Sequence, residues 1–512
     1  MFVRVNTGAI VGIEAVEVTI EVNVASKSFG LYIVGLPDNT IKESEQRIVS
    51  AFENSSYRLM DKKTVVNLAP ADLRKEGSHY DLPIAIGILT ATEQIHTDML
   101  ADSMFIGELS LDGSLRAVKG VLPMVAMARQ RGIKRIFMPR ENIVEGAVVE
   151  GIETIGVGSL LETTQILMGR MPYTPTPHIL PSTEGVMGDE YAEDFADVKG
   201  QAVVKRALEI AAAGGHNVIM VGAPGSGKTM LARRMPTIMP PMTLDEALQT
   251  TKIHSVAGKI GAERGLMNSR PFRAPHHLTS QVALIGGGQS PQPGEVSLAN
   301  NGVLFLDEMP EFGRSVLEVL RQPLEDRHIT ISRAKYTVDY PANFTLIASM
   351  NPCPCGYYNH PTKECTCSAA AVHRYMGHIS GPLMDRIDIH VEVVPVSIAE
   401  MSNDKAEETS AMVRERVVAA RNIQLARFEG LDIHCNAMMN SAMLRRFAPL
   451  DKACSELLER AMTHLNLSAR AYDRIIKVAR TIADLEGAAS IAPHHISEAI
   501  GYRTLDRDNW GR

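Results

Sequence analysis

The chain has 512 residues, which is too long for one hydrophobic core and indicates about three domains. Hydrophobic residues make up 45% of it and charged residues 22%, as in an ordinary soluble globular protein, and no apolar run has the length of a transmembrane helix. The net charge of −7 gives no overall sign of nucleic-acid binding, so such binding would need a local basic patch.

The first residues of the chain predict a cytoplasmic protein. The stretch MFVRVNTGAIVGIEAVEV alternates like a strand and lacks the basic and apolar regions of a signal peptide. Six cysteines are too few for a disulfide framework in a chain of this length, and four of them lie between positions 353 and 367. We therefore expect a cytoplasmic location and no association with a membrane.

Residues 1–170 alternate strand and helix patterns, which predicts an α/β domain. Two segments of this region, KEGSHYDLPIAIGIL (75–89) and IGELSLDGSLRAVKGVLPMVAMARQRGIKRIFMPRENIVEG (106–146), resemble the Lon-type protease domain. The predicted strands are 16–24, 31–34, 63–68, 105–111 and 135–138, and the predicted helices are 40–53, 82–93 and 122–131.

The catalytic residues of the Lon family do not carry over to this chain. His79 or Tyr80 stands where the family has its serine, and Leu122 stands where it has its lysine, with Lys119 three positions earlier. Ser78 and Lys119 would form a Ser–Lys dyad only if both alignments were shifted separately. We therefore expect a catalytically inactive domain with a structural or oligomerising role.

Residues 171–193 contain four prolines and little periodicity, which predicts a linker. A second domain, 194–398, follows it. Within that domain a short apolar strand at 218–221 leads directly into a GxxxxGK[ST] phosphate loop. This loop consists of Gly222, Ala223, Pro224, Gly225, Ser226, Gly227, Lys228 and Thr229.

The phosphate loop predicts that the chain binds ATP with Mg²⁺. Its glycines let the backbone N–H groups point at the β-phosphate, at the positive end of the helix that begins near Thr229. Lys228 would reach the β- and γ-phosphates, and the Thr229 hydroxyl would ligate Mg²⁺. A chance glycine-rich turn is the alternative, but the full motif between a strand and a helix argues against it.

Polar residues follow two further apolar strands of the second domain. Asp307 and Glu308 end the strand that starts at Val303, and Asn351 follows the strand predicted at 344–349. The carboxyl end of a parallel strand lies beside the phosphates, so Asp307 is expected to bind the metal and Glu308 to activate the attacking water. Asn351 is expected to sense the γ-phosphate and help orient that water.

Arg386, in the stretch GPLMDRIDI, has two possible roles. It can act as an arginine finger that reaches the nucleotide of a neighbouring subunit, where it would neutralise charge on the transferred phosphoryl group. Alternatively it forms a surface ion pair with an aspartate, which contributes under about 1 kcal/mol. Local sequence alone does not separate the two roles.

Four further segments are PFRAPHHLTSQVALIGGG (271–288), PGEVSLANNGVLFLDEMPEF (293–312), NPCPCGYY (351–358) and ISGPLMDRIDIHVEV (379–393). The order of the motifs resembles that of the AAA+ ATPases, and these segments resemble the magnesium-chelatase-like AAA+ proteins. Together with the Lon-like front domain, they make the chain resemble the ComM/YifB type. The resemblance implies a homo-hexameric ring that encircles branched or single-stranded DNA. It also implies ATP-driven branch migration during homologous recombination of incoming DNA in natural transformation. A magnesium-chelatase motor subunit and a protein-remodelling ATPase remain alternatives.

Two basic segments lie where related ring ATPases place pore hairpins. Segment 329–343 is predicted to be a hairpin with Arg333 and Lys335 at its turn, and segment 264–277 adds Arg273. Six copies of these residues would line a channel with positive charge that can follow DNA phosphates. A solvated basic surface is the alternative for either segment.

The cysteines at 353–367 form two C-x-C pairs, Cys353 with Cys355 and Cys365 with Cys367. Four thiolates can close a tetrahedral Zn²⁺ site, although C-x-C is shorter than the usual C-x₂₋₄-C spacing. His360 or His373 could replace one ligand. Buried reduced thiols are the alternative to a structural metal.

The last region, 399–512, is helical by its period and is predicted to be the lid of the ATPase. In related ATPases an arginine at the start of a lid helix contacts the γ-phosphate, so the resemblance assigns that role to Arg470, with Arg474 in reserve. A surface arginine is the alternative. The predicted helices are 404–428, 451–465, 468–486 and 493–502, with Ser468 and Pro493 at two of their starts.

Overall fold

The computed structural model describes the chain in two compact units, which comprise 1–183 with 244–267, and 184–243 with 268–512. Within these bounds every described helix is too short or too polar to span a bilayer. The described residues are 1–25, 30–179, 191–261, 265–288, 291–333, 336–358, 360, 362–396, 407–465 and 467–503.

The first unit is built on a seven-stranded mixed sheet with the order β3-β4-β2-β1-β5-β8-β9. Strand β1 is antiparallel to β2, β2 is antiparallel to β4, and the other neighbours are parallel. The strands of the whole unit, with β6 and β7 outside this sheet, are β1 (Phe2–Val11), β2 (Glu14–Ala25), β3 (Gly30–Val34), β4 (Lys63–Ala69), β5 (Ser103–Phe105), β6 (Glu108–Leu109), β7 (Leu115–Arg116), β8 (Arg135–Pro139) and β9 (Glu153–Val157). Its helices are α1 (Asn39–Asn54), α2 (Asp81–Ala91), α3 (Val121–Gln130), α4 (Ile143–Gly146), α5 (Leu160–Leu167) and α8 (Leu244–Val256).

The core of this unit lies between helix α2 and strands β1 and β2. Every residue of α2 is buried, as its almost continuously apolar sequence requires. Gly87 lets this helix approach the sheet, because a Cβ there would lie 2.7 Å from a methyl group of Val22. Strand β2 buries alternate residues, Val18, Ile20 and Val22, which is the period-two pattern of a strand with one face on the core.

The predicted elements of this region are confirmed except for one strand. The pattern at 105–111 predicts a single strand, and that prediction is wrong: β5 ends at Phe105 and β6 is a separate two-residue strand. The break lies at Gly107, whose N–H donates to the carbonyl of His79 at 2.9 Å and whose carbonyl accepts from Leu82 N–H at 3.1 Å. These bonds to the start of α2 replace the ladder bonds that a continuous strand would make.

The second unit contains a five-stranded, all-parallel sheet with the order β11-β14-β17-β10-β18, and a helical C-terminal region. Its strands are β10 (Val218–Gly222), β11 (Phe272–Arg273), β12 (Gly286–Gly287), β13 (Gln292–Pro293), β14 (Val303–Leu306), β15 (His328–Arg333), β16 (Tyr336–Pro341), β17 (Thr345–Met350) and β18 (Ile389–Val393). Its longer helices are α6 (Ala202–Gly214), α7 (Lys228–Ile238), α13 (Ala369–Met376), α15 (Ser410–Arg427), α16 (Ser441–Phe447), α17 (Lys452–His464), α18 (Ala469–Leu485) and α19 (Pro493–Gly501), and its shorter ones are α9 (Gln281–Ile285), α10 (Glu295–Leu298), α11 (Arg314–Glu318), α12 (Arg321–Asp326) and α14 (Gly381–Met384).

Parallel pairing places the carboxyl ends of these five strands along one edge of the sheet. Strand β10 pairs with β17 on one side and with β18 on the other, and β14 pairs with β17. All four residues of β14 and all five of β10 are buried, as expected for strands covered on both faces. The phosphate loop, the acids Asp307 and Glu308, and Asn351 follow β10, β14 and β17 directly, so the topology brings them to one edge.

The four predicted helices of the C-terminal region are present. Ser468 caps α18, since its side chain accepts from the N–H of Ala471, and Pro493 is the first residue of α19. Helix α15 starts at Ser410 and not at 404, because the Thr409 side chain caps it by accepting from Met412 N–H; positions 404–406 lie outside the described residues. The short helix α16 was not predicted.

Candidate functional site

The phosphate-loop motif forms the turn between strand β10 and helix α7. Gly225 and Gly227 have φ angles of +78° and +92°, a backbone conformation that residues with a Cβ rarely adopt. At Gly222 a Cβ would lie 2.3 Å from the carbonyl oxygen of Val393 in the adjacent strand. The turn therefore requires glycine at all three positions.

The turn has the properties of a phosphate site. The space where a Cβ of Gly225 would lie is open, with nothing within 4 Å. The Ser226 hydroxyl is buried and has no hydrogen-bond partner among the described residues. Helix α7 begins at Lys228, so the positive end of its dipole points at this space. An open turn at a helix N-terminus, with a buried unpaired hydroxyl and a lysine, fits a phosphate group.

The Lys228 ammonium lies inside the turn. Its Nζ donates to the carbonyl oxygens of Gly222 at 2.6 Å and Ala223 at 3.0 Å. Burial lowers the pKa of this ammonium from its ordinary value, and the carboxylates of Asp307 and Glu308 act in the opposite direction. The lysine is thus held at the loop by carbonyl groups and by two nearby negative charges.

Asp307 and Thr229 form an oxygen pair suited to Mg²⁺. The Thr229 hydroxyl donates to Oδ2 of Asp307 at 2.9 Å, and the Ser349 hydroxyl donates to Oδ1 of the same carboxylate. The backbone N–H of Glu308 donates to the Ser349 hydroxyl at 3.2 Å. Hydroxyl and carboxylate oxygens are the ligands that Mg²⁺ prefers, and Ser349 orients the carboxylate from behind. Sequence reasoning missed Ser349, although a buried serine in the apolar strand β17 is a signal for such a role.

Glu308 differs from Asp307 in its exposure. Its side chain is 56% exposed, and its backbone has a φ of +53°, which is unusual for a residue with a side chain. The imidazole of His277 lies 3.9 Å from the Glu308 carboxylate. Asn351 accepts a hydrogen bond from Lys228 at 3.3 Å. The exposed Glu308 carboxylate is open to solvent, and the Asp307 carboxylate is half-buried. His277 is a neighbour of Glu308 that sequence reasoning did not assign.

Arg386 is 7% exposed, so it is not a surface residue. Its guanidinium donates to the Glu325 carboxylate at 2.5 Å and to the carbonyl of Pro382 at 2.6 Å. The bond to Glu325 holds the pKa of that carboxylate below its ordinary value. Within the described part of the chain, the predicted alternative, an ion pair with a neighbouring aspartate, is replaced by the pair with Glu325. Asp385 instead pairs with Arg470 at 3.0 Å. Among the described residues, neither arginine contacts the phosphate loop of its own chain.

The two lid arginines have different environments. The Arg470 side chain is 63% exposed, whereas Arg474 forms an ion pair with the buried carboxylate of Asp388. Burial alone would raise the pKa of Asp388, but Arg474 and the hydrogen bond from His216 hold that pKa well below its ordinary value. Arg474 therefore joins the lid to the sheet, whereas the Arg470 side chain is largely exposed.

Comparison with known proteins gives the family. The family described as magnesium chelatase, subunit ChlI, matches residues 194–401, and the families described as subunit ChlI of Mg-chelatase and as magnesium chelatase, subunit ChlI C-terminal, match 20–142 and 407–503. The competence protein ComM of Haemophilus influenzae is 43% identical, covering 98% of this chain and 97% of that protein. The protein YifB of Escherichia coli is 41% identical with the same coverage. The chain belongs to the magnesium-chelatase-like family of the ComM/YifB type.

The likeness to chelatase subunits themselves is weaker and shorter than the likeness to ComM. The magnesium-chelatase 67 kDa subunit of Heliobacterium mobile is 26% identical, over 42% of this chain and 36% of that protein. The ComM/YifB-type chain has the AAA+ architecture of the family, with a parallel α/β core and a helical C-terminal region. Family membership therefore indicates a nucleotide-binding ATPase related to competence proteins.

The two basic segments have different structures in this ComM/YifB-type chain. Strands β15 and β16 form the predicted hairpin, with Arg333 opposite Tyr336, while the turn at 334–335, including Lys335, lies outside the described residues. Arg273 does not lie in a hairpin: it ends strand β11 of the central sheet, and its guanidinium forms two hydrogen bonds with Glu295, at 2.6 and 2.8 Å. This double ion pair satisfies Arg273 within the chain.

The structure brings the four clustered cysteines of this family member together. All four side-chain sulfurs, of Cys353, Cys355, Cys365 and Cys367, lie within 4.8 Å of one another. His360 is not part of the described cluster. Its Nδ1 accepts from the backbone N–H groups of Thr362 and Lys363 at 3.2 and 3.1 Å. The described cluster also excludes His373.

The serine and lysine of the possible protease dyad have separate partners. The Ser78 hydroxyl donates to the Glu108 carboxylate. The Lys119 side chain lies against Gly258, with its Cε 2.5 Å from the position that a Cβ of Gly258 would occupy. A Ser–Lys dyad needs the amine within hydrogen-bond reach of the hydroxyl. These partners favour the expected inactive domain.

Proposed function

We propose that the chain is a cytoplasmic AAA+ ATPase that assembles as a homo-hexameric ring and uses ATP hydrolysis to move along branched or single-stranded DNA. Its reaction would be branch migration during recombination of incoming DNA in natural transformation. One observation carries the ATPase part: Lys228, Thr229, Asp307 and Glu308 meet at one edge of the sheet. The DNA part is supported by the likeness to a competence protein and by the basic hairpin.

The chemistry follows from the positions of the side chains. The loop N–H groups and Lys228 would bind the phosphates, and Thr229 and Asp307 would hold Mg²⁺, which neutralises charge on the β- and γ-phosphates. Glu308, exposed beside the metal pair, would take the proton of the attacking water. Asn351 would keep Lys228 and that water oriented.

The arginines support an assembly. Arg386 and Arg470 lie in one charged cluster, in which Glu325 and Asp385 are their partners. The resemblance to AAA+ ATPases gives Arg386 the role of an arginine finger that reaches the nucleotide of an adjoining copy. We therefore place each ATP between two subunits, with Arg386 supplied by the neighbour.

Glu308→Gln should retain ATP binding and lower hydrolysis by about 10²- to 10⁴-fold, because an amide cannot accept the proton of the attacking water. The measurement is the ratio of bound ATP to bound ADP after incubation, together with the steady-state ATPase rate. Glu311→Gln is the matched control, since Glu311 is exposed three positions away and should leave both quantities unchanged. Full ATPase activity in Glu308→Gln would contradict the assignment.

The substrate class is tested by the ATPase rate with three additives: branched DNA, plain duplex and denatured protein. We expect branched DNA to stimulate most, because basic hairpins in a ring would track phosphates. A chelatase motor is the alternative that the partial likeness to a chelatase subunit supports, and its ATPase rate should not change with DNA. A protein-remodelling ATPase should respond to denatured protein, and either of these results would overturn the DNA assignment.

The hairpin residues have their own test. Arg333→Ala combined with Lys335→Ala should weaken binding to single-stranded DNA and flatten its salt dependence, by about 0.7 in the slope of log K against log salt for each DNA phosphate that is no longer neutralised. Arg314→Ala, which removes an exposed arginine on another segment, is the control. An unchanged slope in the hairpin variant would show that the hairpin is a solvated surface.

A further inference from the structure

The four clustered cysteines have the spacing of a tetrahedral metal site. The sulfur of Cys353 lies 3.3 Å from that of Cys355 and 3.7 Å from that of Cys365, and Cys355 and Cys365 are 3.6 Å apart. Four sulfurs at the Zn–S distance of about 2.3 Å from one centre lie about 3.8 Å from each other. The observed spacing is close to that value, and Cys367 completes the set.

Other cysteine chemistries fit this arrangement less well. A disulfide needs two sulfurs about 2.05 Å apart, and all six described cysteines are free. In a four-iron cluster each thiolate binds a different iron, so the sulfurs would lie farther apart than in this group. Four thiols contributed by two short segments, with oxygen and nitrogen ligands absent from the described cluster, match a single thiophilic ion.

The segment that carries the cysteines has little else to hold it. Between Asn351 and Ser368 the described residues contain neither helix nor strand. Cys353 is buried, whereas the other three cysteines are partly exposed. An irregular segment of this length needs internal contacts to stay ordered, and a bound metal can supply them.

The cysteine segment also contacts the phosphate loop. Gly356 lies against Pro224, since a Cβ at Gly356 would be 2.5 Å from the Cδ of that proline. At its start, Asn351 accepts a hydrogen bond from Lys228 and stands two residues before Cys353. The order of this segment therefore determines the position of one wall of the nucleotide site.

We propose that Cys353, Cys355, Cys365 and Cys367 bind one structural Zn²⁺ ion, which braces the phosphate loop through Gly356 and Asn351. The metal site depends only on the cysteine geometry. The bracing role rests on the proposed ATPase function, and the two are measured separately.

The test uses the full chain without an affinity tag. Metal analysis by mass spectrometry should find about one zinc per chain, and it should find less than about a tenth of that in Cys365→Ser combined with Cys367→Ser. Cys454→Ser is the control, because Cys454 is buried outside the cluster and should leave the zinc content unchanged. Zinc retained in the double variant would overturn the site.

A second measurement tests the metal site even if the double variant fails to fold. The unmodified chain, depleted of zinc under reducing conditions, should take up one Co²⁺ and show the visible and near-ultraviolet bands of a tetrahedral tetrathiolate. Absence of stoichiometric uptake of both Zn²⁺ and Co²⁺, or the absorption of an iron–sulfur cluster, would overturn the proposal. For the bracing role, the affinity for a fluorescent ATP analogue should fall about tenfold on zinc loss and recover when zinc is restored. Unchanged affinity after zinc loss would overturn that role.

Discussion

Lys228→Ala should abolish ATP hydrolysis and strongly weaken ATP binding. The ammonium lies within the phosphate loop, 2.6 and 3.0 Å from two loop carbonyls, so it occupies the place where the β- and γ-phosphates would meet a positive charge. Its removal leaves the phosphates without their main charge partner. We expect the ATPase rate to fall by at least about a thousandfold. Calorimetry measures the accompanying loss of affinity for ATP.

Two controls separate the chemistry of Lys228 from its structural role. Lys452→Ala removes a lysine whose side chain is 91% exposed, so its ATPase rate should not change. Lys228→Arg keeps the charge but lacks the compact ammonium that fits the loop, and it should remain inactive. Circular dichroism of each variant checks that the fold is retained. An ATPase rate near normal in Lys228→Ala would show that this loop is not the nucleotide site.

Arg386→Ala should leave ATP binding nearly intact and lower hydrolysis by about 10³- to 10⁵-fold, as expected for loss of an arginine finger. The reason is that the guanidinium acts on charge that develops during phosphoryl transfer and not on the ground state. The measurement is the steady-state ATPase rate beside the affinity for ATP. A loss of affinity with an unchanged turnover rate would contradict the finger assignment.

The intrachain partner of Arg386 gives a matched control. Arg386 forms an ion pair with Glu325, so Arg386→Ala also leaves that carboxylate without its arginine. Glu325→Gln removes the ion pair and keeps the arginine. If Arg386 acts on the nucleotide, Glu325→Gln should retain most of the hydrolysis rate; if the ion pair is the whole function, the two variants should be equally impaired.

Local patterns were enough to predict which residues meet at the candidate nucleotide site. The glycines of the phosphate loop, the acids after β14 and Asn351 after β17 all follow apolar strands, and parallel strands end at a common edge. The hairpin of β15 and β16 and the caps of the lid helices also follow from short-range chemistry, since a cap or a turn depends on residues close in sequence.

Contacts between distant segments could not be predicted in the same way. Ser349 meets Asp307 across 42 positions, Glu325 meets Arg386 across 61, and His277 approaches Glu308 from a third segment. Strand β11 has two residues, which is too short for any period to show. The cysteine cluster was visible as a pattern, but the choice between four sulfurs and a histidine ligand needed the distances in space.

Mixing two inactive variants tests most directly whether adjoining copies share each nucleotide. Lys228→Ala chains lack the loop lysine but keep Arg386. Arg386→Ala chains keep the loop lysine but lack Arg386. In equal mixtures that assemble at random, about a quarter of the interfaces combine an intact loop with an intact arginine. We predict that the mixture recovers ATPase activity, up to about a quarter of the unmodified rate. Activity that stays at the level of the separate variants at every ratio, in chains shown to co-assemble, would contradict the shared site.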